Sequence, residues 1–145
     1  MNIISTSVRQ TREIARKLAR SFKPKDVVAL IGTLGSGKTV FVKGLAMGLG
    51  CNSRDVSSPT FVLMRQYQGK FVLNHFDLYR LASLKSKALR QLEQIGYEEY
   101  FYGDGITVIE WADRIPGALP KEYLRIEFKI LGENKRLLKI RPIGR

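Results

Sequence analysis

The chain is poor in the residues that build disulfides and metal centres. It holds one cysteine, Cys51, and one histidine, His75. A lone cysteine excludes an internal disulfide and any multi-cysteine zinc site, and its plainest use is as a small buried hydrophobe. A lone histidine excludes a histidine-built metal centre. No apolar run approaches the ~20 residues that cross a bilayer, and the first residues carry no leader pattern. These absences predict a cytoplasmic protein with no membrane association. Acids are scarce too: 13 Asp and Glu stand against 25 Lys and Arg, a formal charge of +12. That excess favours a polyanionic partner, nucleic acid foremost. Repeats, low-complexity tracts and linkers are missing, so the 145 residues read as one domain over 1–145.

Against this sparse background one stretch is dense with information. Gly32-Thr33-Leu34-Gly35-Ser36-Gly37-Lys38-Thr39 fills the G-x-x-x-x-G-K-[ST] pattern of a phosphate-binding loop at every fixed position. Its glycines let backbone N–H groups close around a phosphate with no Cβ in the way. Lys38 then reaches the β- and γ-phosphates, and the Thr39 hydroxyl holds Mg²⁺. Residues 27–31 before it form an apolar, strand-like run, and residues 40–47 after it suit a helix whose positive end faces the phosphates. The predicted nucleotide-binding stretch is therefore Thr33, Leu34, Gly35, Ser36, Gly37, Lys38, Thr39 and Val40.

The remaining elements alternate. Residues 2–4 suit a short strand, and Ser7 with Gln10 fits a capping box opening a first helix that ends before Pro24. That helix sets Arg9, Arg12, Arg16 and Arg20 on one face, opposite Ile14, Leu18 and Phe22 with Ala15 and Ala19. Such a basic stripe suits an RNA backbone, although most charge runs are simply solvated faces. Residues 60–67 and 70–75 flank a hairpin turn at Gln68-Gly69. A helical stretch over 83–102 is interrupted at Gly96, residues 106–109 form a buried strand, and 124–130 and 136–140 make a closing antiparallel pair. The pattern predicts a three-layer α/β fold of the P-loop NTPase type. Its mixed sheet is parallel near the loop and antiparallel at one edge.

A phosphate loop specifies a nucleotide, not a reaction, and the acids decide more. Asp77 and Glu110 each end a strand-like run, where a carboxylate meets the metal of a neighbouring loop. Either could hold Mg²⁺ while the other orients the attacking water; Glu110 follows the cleaner apolar run, and Asp is the commoner metal partner. Guanine recognition is unsupported, because Asp77 is not followed by the Asp-x-x-Gly pattern and Asn134-Lys135 runs into Arg136-Leu137. ATP is the expected ligand. An arginine-rich kinase lid is not evident, though Arg80 and Arg114 are within the right segments to touch phosphates. Thr60, in Ser58-Pro59-Thr60-Phe61, occupies a switch-like position from which its hydroxyl would join Mg²⁺ when a γ-phosphate is present.

Taken in order, the phosphate loop, Ser58-Pro59-Thr60-Phe61, His75-Phe76-Asp77-Leu78-Tyr79-Arg80, Leu92-Glu93-Gln94-Ile95-Gly96 and Glu110-Trp111 resemble the TsaE (YjeE) family of bacterial ATPases. These are required for making threonylcarbamoyladenosine in tRNA. The resemblance runs from the first helix to about Pro120, with a compatible final hairpin. It implies an ATPase that is weak alone and acts with the TsaD and TsaB proteins, without transferring the threonylcarbamoyl group itself; tRNA would be met directly or through that complex. It implies that Lys38, Asp77 and Glu110 are catalytic, and that Thr39, Asp77 and Glu110 surround Mg²⁺. Thr60 then lies in the switch segment and Trp111, the only tryptophan, borders the site. One departure stands out: Thr33 occupies a position that is acidic in many members, which weakens any role for it in water activation. Two further readings stay open, a nucleotide-gated binding module whose hydrolysis is incidental, and a small-molecule kinase.

Overall fold

A computed structural model of the chain describes residues 1–56, 63–79, 81 and 88–144. Thr60 and Arg80 lie outside the described residues. The strands are β1 (Asn2–Ser5), β2 (Val27–Ile31), β3 (Met64–Tyr67), β4 (Leu73–Asp77), β5 (Ile106–Glu110), β6 (Tyr123–Ile130) and β7 (Arg136–Ile143). The α-helices are α1 (Val8–Ala19), α2 (Lys38–Gly48), α3 (Ala88–Gln94) and α4 (Tyr97–Phe101).

The strands form one seven-stranded sheet in the order β1-β7-β6-β2-β5-β4-β3. Its centre is parallel, with β2 between β5 and β6 and β4 beside β5. Antiparallel pairs close both edges: β6, β7 and β1 on one side, and on the other the predicted hairpin of β3 and β4. The helical stretch expected over 83–102 resolves into α3 and α4, broken at Gly96, which takes φ 69°. Residues 83–87 lie outside the described residues.

Period-2 alternation sorts the central strands into two cores. Val28, Leu30, Leu73, Ile106 and Val108 face α1 and α2, whereas Val27, Ala29, Phe76 and Ile109 face α3 and α4. The central strands are buried on both faces, which is why they read as unbroken apolar runs. Cys51 is buried in the first core, where burial pushes its thiol pKa up.

Helix α1 starts where the side chain of Ser7 accepts the N–H of Gln10 at 3.0 Å. Gln10 closes the cap one residue earlier than a standard box, accepting from the N–H and hydroxyl of Thr6. The helix presents Thr11, Ala15 and Ala19 to the interior and keeps Arg9, Arg12 and Arg20 exposed, while Arg16 pairs with Glu13. Its contact with α2 is unusually close. A Cβ on Gly44 would lie 2.3 Å from the Arg12 carbonyl oxygen, and one on Gly48 would lie 2.5 Å from that of Arg16. Glycine at these two positions lets the helices touch backbone to backbone, and that contact fixes α2 and the loop before it.

Candidate nucleotide site

Strand β2 delivers the chain to the phosphate loop at the carboxyl edge of the parallel sheet, where ligands of open α/β folds bind. Gly37 caps α2 with φ 105°, a left-handed conformation that any side chain would strain. Thr33, Leu34 and Gly35 form the exposed crest, Ser36 is buried, Val40 is half-buried, and Ser36 N–H closes the turn on the Thr33 carbonyl at 3.1 Å. The Arg136 guanidinium, from β7, braces the crest by donating to the Gly35 carbonyl at 3.2 Å.

Lys38 is folded onto its own loop. Its Nζ donates to the carbonyls of Gly32 and Thr33 at 2.6 and 2.8 Å, and lies 4.1 Å from the centroid of the Trp111 ring. Desolvation pulls the Lys38 pKa below its ordinary value, against the opposing pull of Glu110, Asp77 and Asp113. Trp111 itself has φ 61°, a left-handed conformation rare for an aromatic residue. Backbone strain of this kind is held in place by its surroundings, and here it turns the indole toward Lys38, Tyr79 and Arg114.

The acids arrive from neighbouring strands. Asp77 of β4 and Glu110 of β5 are register partners, so both leave the sheet at one level. Glu110 alternates with Val108 and Ile106, and Asp77 with His75 and Leu73, which puts all three polar groups on the α2 side. Thr39 Oγ1 donates to Glu110 Oε1 at 3.0 Å, although the two residues stand 71 positions apart. Asp77 Oδ1 accepts from the Tyr79 N–H at 3.0 Å. Hydroxyl and carboxylate oxygens are the hard donors that Mg²⁺ prefers, usually one or two carboxylates completed by substrate phosphates and water. Thr39 and Glu110, with Asp77 beside them, fit that pattern. Among the described residues, no group of three or more His, Cys, Asp or Glu gathers to hold a metal.

Sequence reasoning leaves out one participant. His75 is fully buried, its Nε2 2.6 Å from Glu110 Oε2 and its Nδ1 3.3 Å from the Tyr67 hydroxyl. The available signal is its spacing: His75 sits two residues before Asp77 on a strand, hence on the same face.

The family model for "Threonylcarbamoyl adenosine biosynthesis protein TsaE" matches residues 5–138. The chain belongs to the TsaE family. It is 40% identical over 136 residues to the tRNA threonylcarbamoyladenosine biosynthesis protein TsaE of Treponema pallidum, covering 94% of this chain and 96% of that protein. The TsaE of Bacillus subtilis is also 40% identical, with 93% of this chain and 81% of that one covered. The crystal structure of Bacillus subtilis YdiB superposes with a TM-score of 0.79 at 32% identity, covering all of this chain and 86% of that one. The P-loop NTPase-like fold expected for a TsaE chain is therefore present. The matched segment takes in the loop, both acid-bearing strands and Trp111.

Proposed function

We propose that this TsaE chain is a single-domain ATP-binding and ATP-hydrolysing subunit of tRNA threonylcarbamoyladenosine formation. It acts beside TsaD and TsaB, which carry out the transfer to tRNA, in the cytoplasm. The observation that carries the reading is the Thr39–Glu110 contact: the loop hydroxyl and the strand-end carboxylate meet at one point beside Lys38.

The chemistry follows from this chain's own groups. The loop N–H groups and the N-terminus of α2 bind the triphosphate. Lys38 leaves the carbonyls of Gly32 and Thr33 for the β- and γ-phosphates, where its charge offsets the charge developing in the transition state. Thr39, Asp77 and Glu110 would hold Mg²⁺, which when bound neutralises phosphate oxygens. Glu110 is the better placed of the two acids to face the metal at Thr39, because it touches that hydroxyl directly.

The Lys38–Trp111 contact also suits a nucleotide-gated module, since a phosphate that draws Lys38 off the indole would change the surface around it. ATPase rates of the purified chain, alone and with TsaD and TsaB, test the main reading. Stimulation by the partners is expected. ATP binding without stimulation would favour the gated module.

A further inference from the structure

Among the described residues, His75 is a buried polar group beside the site to which the reading above gives no part. It lies in the centre of β4, fully buried, with the Glu110 carboxylate on one ring nitrogen and the Tyr67 hydroxyl on the other. Glu110 is itself only 2% exposed, so bulk solvent does not set its orientation. A carboxylate accepts hydrogen bonds and does not donate them, so the His75 nitrogen at 2.6 Å is the donor. The other oxygen, Oε1, then points to Thr39.

We propose that His75 is a positioning residue that clamps one oxygen of Glu110 so that the other is presented to Thr39 and its metal. The proposal rests on the ATPase reading above. The geometry behind it is a chain of contacts, Tyr67 to His75 to Glu110 to Thr39, that crosses from β3 through β4 and β5 to the first turn of α2. A carboxylate free to rotate would present either oxygen, or neither, at the loop. Held by His75, it has one orientation before any ligand arrives, so no reorganisation is needed on binding. Partners of this kind around metal-binding carboxylates typically change metal affinity or activity by about 10–100-fold when removed.

The test is the affinity of the purified protein for ATP, measured by titration calorimetry with Mg²⁺ and again with EDTA, for wild type, His75→Gln, His75→Asn and His75→Leu. The glutamine amide nitrogen reaches the place of Nε2; the asparagine amide reaches only the place of Nδ1. Wild type and His75→Gln are expected to bind ATP more tightly with Mg²⁺ than without. His75→Asn and His75→Leu are expected to lose about 10–100-fold of that Mg²⁺-dependent tightening, with binding in EDTA unchanged. In the partner-stimulated ATPase with Mg²⁺, the same two variants should lose kcat/KM for ATP, while His75→Gln keeps the wild-type value.

Equal losses with Mg²⁺ and EDTA, or identical behaviour of the glutamine and asparagine variants, would overturn the clamp and leave His75 a packing residue. If wild type itself shows no Mg²⁺ effect, the ATPase reading fails first and takes this one with it. Should the histidine variants not fold, as judged by thermal melting, Tyr67→Phe carries the test: it keeps the ring and removes the hydroxyl on Nδ1. A smaller loss in the same direction is expected, and no change in Mg²⁺ dependence would overturn the chain of contacts.

Discussion

Lys38 and Trp111 are in direct cation–π contact, Nζ standing 4.1 Å from the ring centroid although the two lie about half the chain apart in sequence. A triphosphate that takes up the Lys38 charge is expected to weaken this contact. The indole is therefore a built-in reporter. Adding ATP or ADP should shift Trp111 emission in a saturable way, and Lys38→Met should abolish the titration. A saturable shift of equal size in Lys38→Met would mean that the indole senses something other than Lys38.

The same lysine costs the nucleotide-free fold stability. Desolvation lowers its pKa in the folded protein below the ordinary 10.5, so the unfolded chain holds the proton more tightly. The penalty is fully present below the folded pKa and fades as pH rises through it toward 10.5. Lys38→Met should accordingly melt at a higher temperature than wild type near neutral pH, and the gap should narrow in alkaline buffer. A lower melting temperature for the variant at pH 7 would show that the carbonyl contacts outweigh desolvation.

Glu110 and Asp77 share a strand level but differ in what they touch. Glu110→Gln should lose most of the Mg²⁺-dependent tightening of ATP binding, keep binding in EDTA, and lose about 10²-fold or more in the partner-stimulated rate, because the several kcal/mol a metal contributes at the phosphates goes with it. Asp77→Asn should lose less, since the bond of Asp77 to the Tyr79 N–H survives an amide oxygen. Steady-state rates on both variants rank the acids directly; a larger loss for Asp77→Asn would reverse the assignment.

Gly44 is a packing position. Its added Cβ would meet the Arg12 carbonyl oxygen at 2.3 Å, and backbone cannot swing aside as a side chain does. Gly44→Ala should destabilise the protein by about 1–3 kcal/mol, visible as a lowered Tm and a lower urea midpoint. Gly117, with nothing near its missing Cβ, is the control: Gly117→Ala should stay within about 0.5 kcal/mol of wild type.

The local features of this protein were legible without coordinates because they depend on neighbours in sequence. The phosphate loop needs its glycines, Lys38 and Thr39 at set spacing. The β3–β4 hairpin was legible as two strands around a turn, although the connection runs over residues 68–72 and β4 begins at Leu73 rather than at residue 70; the central strands need only to be apolar on both faces. Asp77 and Glu110 could be chosen because each ends such a strand. What the acids do there was not legible. That Glu110 meets Thr39, that His75 holds Glu110, and that Trp111 covers Lys38 all follow from β5 lying between β2 and β4. Strand order is set by which faces bury best against α1 and α2 and against α3 and α4, a property of the whole packed sheet. Local spacing therefore determined the glycine-rich loop and the two acids that end neighbouring strands, and long-range packing decided which side chains surround them.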